Sequence, residues 1–138
     1  MDAFRYCAAP LASLTLAFSA AAFAHESAPS EKVTVLQDQM LLNAPGKKAM
    51  MLVVDYSPGQ ASIAHKHQGT AMAYVVSGEI TSQVKGEKAI TYKAGESWYE
   101  PASSEHLISK NASATKPARL LVFMLMDKTD EVLIPLKN

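Results

Sequence analysis

Turn residues recur at intervals of about 8 to 12 along this chain from Val33 onward, which is the spacing of short strands rather than of helices. Asn43, Pro45 and Gly46 make one break. Ser57, Pro58 and Gly59 make the next, followed by Ser77 with Gly78, Lys85 with Gly86, and Ala94 with Gly95. No window shows a convincing period of 3.6, so amphipathic helices are not expected. The apolar runs between the breaks read as strands at 33–36, 49–56, 62–67, 71–76, 79–84, 89–92, 97–100, 106–110 and 120–126. The tight break at Ser77 and Gly78 reads as a hairpin between two of them. The pattern predicts one all-β domain over 33–138, a sandwich or a barrel.

Residues 1–24 follow a different logic. Arg5 precedes an uncharged apolar run over 8–23, which ends in the small-x-small pattern of Ala22, Phe23 and Ala24. That layout is a secretory signal peptide. The run is shorter than the roughly 20 residues of a spanning helix, so no stable membrane anchor is expected. Export across the inner membrane to the periplasm is expected. Residues 25–32 are polar, hold Pro29 and read as a flexible leader. The chain has one cysteine. It is Cys7, inside the signal, so the domain is left without a disulfide or a thiol nucleophile. Lys and Arg total 13, as do Asp and Glu; this balance gives no reason to expect a nucleic-acid partner.

Candidate chemistry rests on histidine. There are four in all, and His25 falls in the leader. His65 and His67 stand at i and i+2, which on a strand turns both imidazoles to one face and Lys66 to the other. Such a pair is either half of a metal site or a surface pair on an edge strand. Among carboxylates, Glu100 stands two residues from Trp98 and can face inward with it, as an acid, a base or a histidine partner. Glu105 directly precedes His106 and should point away from it. Gln60, Ala71, Trp98 and Tyr99 are candidates to line a pocket. Met50, Met51, Met72, Met124 and Met126 fall in strand runs and read as core filling.

The wider spacing resembles the two sequence motifs of the cupin superfamily. Gly59, His65, His67 and Gly78 match the first, and Gly95, Pro101 and His106 match the second, with sixteen residues between Gly78 and Gly95. The resemblance covers 49–127. It implies a double-stranded β-helix barrel, a jelly-roll form, in which His65, His67 and His106 share one divalent metal ion. It also implies a homodimer and a small-molecule ligand or substrate.

Three positions depart from the family pattern. The first motif's glutamate should stand at position 71, which is Ala71; Ser103 replaces a glycine; and Lys110 stands where an asparagine belongs, with Asn111 one residue late. Three neutral imidazoles without a carboxylate favour zinc or copper, then nickel or iron. Three functions stay open: a metal-dependent enzyme of the dioxygenase, lyase or isomerase kind with Glu100 moving protons; a non-catalytic periplasmic module binding a metal or small ligand; and a metal-free structural or interaction barrel.

Overall fold

Strict alternation along two long strands sets the frame. In β2 (Lys47–Tyr56) the side chains of Met50, Leu52, Val54 and Tyr56 are buried. In β9 (Ala118–Asp127) those of Ala118, Leu120, Val122, Met124 and Met126 are buried. The two strands pair antiparallel along their whole length, from Lys47 opposite Asp127 to Tyr56 opposite Ala118. The structure is a computed structural model that describes residues 31–137; among these residues there are ten strands and no helix. The signal peptide expected at 1–24, and the leader up to residue 30, lie outside the described residues. Lys32 already opens the first strand.

Two antiparallel five-stranded sheets face each other. The first runs β1 (Lys32–Met40), β2, β9, β4 (Thr70–Ser77), β7 (Ser97–Glu100). The second runs β10 (Ile134–Pro135), β3 (His65–Lys66), β8 (Glu105–Asn111), β5 (Glu79–Val84), β6 (Ile90–Lys93). The core lies between them: Ala71, Ala73 and Val75 of β4 and Ile80 of β5 join the inward residues of β2 and β9. Each large apolar side chain taken out of water there stabilises the fold by about 1.5–3 kcal/mol.

The all-β expectation holds, and three details differ from it. Ser77 and Gly78 do not close a hairpin. β4 and β5 belong to different sheets, and Gly78, at φ +75°, turns the chain from one to the other. A side chain there would also strike Pro117 O at 2.7 Å, so position 78 takes only glycine. The run expected as a strand over 62–67 narrows to the two residues of β3; before it, Ala61 makes only an isolated bridge to Lys110. Finally, β10 had no counterpart in the expected strands. It is two residues long and ends in proline, too short to carry a periodic signal.

Candidate metal centre

Three imidazoles meet on the inner side of the second sheet. His65 and His106 sit directly opposite each other across the β3–β8 pair. His67 follows β3, and its Nε2 approaches His65 Nε2 to 3.2 Å. The candidate ligand atoms of all three lie within 4.8 Å of one another.

Backbone carbonyls decide which nitrogens are free. Ile63 O accepts a hydrogen bond from His65 Nδ1 at 2.7 Å, and Val132 O accepts one from His67 Nδ1. A carbonyl can only accept, so both rings carry their proton on Nδ1 and aim an Nε2 lone pair at the other. Two lone pairs 3.2 Å apart repel unless a cation lies between them. The same spacing suits two nitrogens that are each about 2.0–2.1 Å from one ion. His106 Nε2 lies 2.8 Å from Ser82 Oγ.

Burial sets the charge. It holds His65 and His67 below the ordinary imidazole range. His106 is pushed down to about 3, by burial first and then by the neighbouring His65 and His67. All three are therefore neutral at neutral pH, the form that binds a metal.

Glu100, on β7 of the first sheet, lies beside the three imidazoles. It is buried, and burial pushes its carboxyl up. Oε1 accepts a hydrogen bond from Trp98 Nε1 at 2.8 Å and lies 3.3 Å from His106 Nδ1. Oε2 lies 3.7 Å from His67 Nε2 and has no hydrogen-bond partner. Preset lone pairs and an orphaned carboxylate oxygen fit a divalent ion.

A bulge aims the second motif. The pairing of β8 with β5 shifts register between Gln83 and Val84, so that Leu107 is the extra residue. His106, Ser109 and Asn111 are all buried, which regular alternation forbids for residues an odd number apart; the bulge resets the parity. It also brings Asn111, one residue past the motif's position, onto the buried face. Asn111 Nδ2 donates to Ser57 O at 3.0 Å and to Lys116 O at 2.7 Å, while Lys110 faces solvent. Ser103, where the motif has a glycine, lies in the left-handed region at φ 62°, and its N–H donates to His67 O at 2.9 Å.

The cluster opens on a cavity of about 70 Å³. Leu52, Val54, Leu120 and Val122 wall it, and Tyr56, Ser62 and Ser109 add hydroxyls. Tyr56 Oη lies 2.7 Å from Ser62 Oγ and 2.8 Å from Ser109 Oγ.

The cupin domain family matches residues 52–124. The chain belongs to that family. Among curated proteins none matches this cupin. Solved structures similar to it include DMSP lyase DddQ from Ruegeria pomeroyi, at 16% identity and a TM-score of 0.61, covering 77% of this chain and 51% of that one. The protein TT1209 from Thermus thermophilus shares 25% identity at a TM-score of 0.56, covering 69% and 82%. A conserved protein from Klebsiella pneumoniae with a double-stranded β-helix domain shares 17% at 0.62, covering 91% and 100%. This cupin thus spans about half the length of DddQ.

Of the residues singled out in sequence, the structure brings His65, His67, His106 and Glu100 together. Trp98 is buried behind them, stacked on Tyr92 with ring centroids 4.8 Å apart. Ala71 is fully buried directly opposite Glu100. Neither Trp98 nor Ala71 lines the cavity itself, and the other two pocket candidates lie elsewhere. Tyr99 alternates with Trp98 and Glu100 and so faces outward, 54% exposed. Gln60 belongs to the turn before β3, where its Oε1 accepts from Ser57 N at 2.8 Å, beside a separate surface groove. Sequence reasoning passed over Ser82, Ser109 and Tyr56. Ser82 carried a signal: it alternates with Ile80 and Val84 on an inward face, and a serine there needs a polar partner.

Proposed function

We propose that this cupin is exported to the periplasm, holds one divalent ion on His65, His67 and His106, and uses it on a small organic molecule as an enzyme of the lyase, dioxygenase or isomerase kind. The observation that carries the metal reading is the 3.2 Å approach of two Nε2 atoms whose protons are held on Nδ1. On the nitrogen donors alone, zinc or copper rank ahead of nickel or iron. An ion bound there would act as a Lewis acid on a ligand oxygen.

The rest of the site suits a small ligand. The cavity's 70 Å³ admits about five water-sized bodies. Its apolar walls exclude bulk water, and the hydroxyls of Tyr56, Ser62 and Ser109 offer hydrogen bonds to a polar end. The fold shared with DMSP lyase DddQ is a precedent for small-molecule chemistry on such a barrel, at the level of fold. The tightness of the cavity favours one second reading, a module that binds a metal and small ligand without turnover.

A homodimer through the first sheet is part of the proposal. Met72, Tyr74, Tyr99, Phe123 and Leu125 are exposed on its outer face, an apolar patch of the kind that marks a protein interface. Phe123→Glu should then shift the protein from dimer to monomer in light scattering.

Metal analysis of untagged protein tests the central reading. About one equivalent of a divalent ion in the wild type, lost in His65→Ala/His67→Ala, is expected. No metal in the wild type and no uptake on reconstitution would overturn it.

A further inference from the structure

We propose that Glu100 is the metal's carboxylate ligand, supplied from β7 in place of the glutamate that the family's first motif would put at position 71 on β4. The inference rests on the metal-binding reading of His65, His67 and His106.

The register makes the exchange possible. Ala71 and Glu100 are direct partners across the β4–β7 pair, and both face inward, at 0% and 3% exposure. Opposed Cβ atoms on antiparallel strands stand about 4.5–5.5 Å apart, so a glutamate on either strand reaches the same end of the barrel. The alanine at 71 leaves that space to Glu100.

The contacts of the two carboxylate oxygens then differ in a telling way. Trp98 Nε1 holds Oε1 at 2.8 Å, which fixes the plane of the carboxylate. Oε2 is buried, without a hydrogen-bond partner, and 3.7 Å from His67 Nε2. An orphaned carboxylate oxygen in a dry site is costly unless a cation meets it. Among the described residues, the groups that come within ion-pair range of Glu100 are imidazoles alone, with no lysine or arginine beside it. A shared divalent ion resolves both problems at once, the orphaned oxygen and the opposed Nε2 lone pairs. The tryptophan N–H acts as the outer partner that orients a ligating carboxylate.

Two consequences follow. The donor set becomes three imidazoles and one anionic oxygen, which lowers the charge of the bound ion's sphere and opens the site to manganese and iron. Glu100 is committed to the ion rather than to proton transfer.

Calorimetric titration with Zn²⁺ and Mn²⁺, on wild type, Glu100→Gln, Ala71→Glu/Glu100→Ala and His65→Ala/His67→Ala, tests this. Glu100→Gln should weaken Mn²⁺ binding by at least the roughly 10- to 100-fold that follows loss of a ligand's outer partner, and Zn²⁺ binding less. Moving the carboxylate back in Ala71→Glu/Glu100→Ala should recover most of the Mn²⁺ affinity. If Glu100→Gln binds both ions as the wild type does while the double-histidine variant binds neither, the inference fails and the metal reading stands. If the wild type binds neither ion, the metal reading itself fails. Should Glu100→Gln lose its fold, the wild type alone decides. Adding metal must shift a carboxylate stretch in the infrared difference spectrum, and no shift overturns the proposal.

Discussion

The two sheets of this barrel differ in strand length and in what they contribute. In the first, β2 and β9 are ten residues each and pair without a break, and register shifts fall outside the β2–β9 pair, at Leu36 of β1 and Val76 of β4. β2 and β9 supply the apolar walls. In the second, β3 and β10 are two residues each, and β8 is bulged. That sheet supplies His65, His106, Ser82 and Ser109. Glu100 is the exception, an acid from the edge of the regular sheet that reaches the irregular one. Regular strands make walls because alternation forces like residues onto one face. Short and bulged strands make sites because they can aim neighbouring polar groups at one point.

This contrast can be broken from either side. The largest effect is expected in the regular sheet. Met124 is fully buried, and Met124→Ala should destabilise the fold by about 2–5 kcal/mol, read by denaturant melts, with metal stoichiometry unchanged in the fraction that stays folded.

Acid should act on the irregular sheet. His106 is held at about 3 in the fold, against about 6.5 unfolded. The unfolded chain therefore binds protons first. Stability of metal-stripped protein is complete above about pH 6.5 and falls as pH drops toward 3, by up to about 1.4 kcal/mol per pH unit from this group. His65 and His67 act in the same sense. Glu100, raised by burial, acts in the opposite sense, one group against three. Thermal melts from pH 7 to pH 4 check the sign.

Removing the chain after Asp130 deletes Val132 O, which holds His67 Nδ1, and β10, which pairs with β3. Metal affinity should fall about 10- to 100-fold, the usual effect of losing an outer partner of a ligand, with the regular sheet intact by circular dichroism. The smallest effect belongs to Ser103. Its φ of 62° is strained for serine, so Ser103→Gly should raise stability by about 1 kcal/mol.

The sequence was legible where the structure is regular. Turn spacing gave the fold class and located the apolar runs that form β2, β4 and β9. The motif spacing picked out His65, His67 and His106 together. What stayed hidden depended on pairing between distant strands. Nothing in the local sequence says that Ala71 faces Glu100 or that Val132 O meets His67, because register between strands is not written along either one. The bulge at Leu107 was hidden for the same reason, and with it the inward aim of Ser109 and Asn111. Tyr99 was drawn into the expected pocket by its neighbours, although alternation with Trp98 and Glu100 already turned it outward.

Anomalous diffraction from crystals of the metal-loaded protein, collected at the metal's absorption edge, tests the account most directly. One peak is predicted about 2.0–2.3 Å from His65 Nε2, His67 Nε2, a His106 ring nitrogen and Glu100 Oε2. A loaded protein with its ion elsewhere, or with no ion among these four side chains, would contradict it.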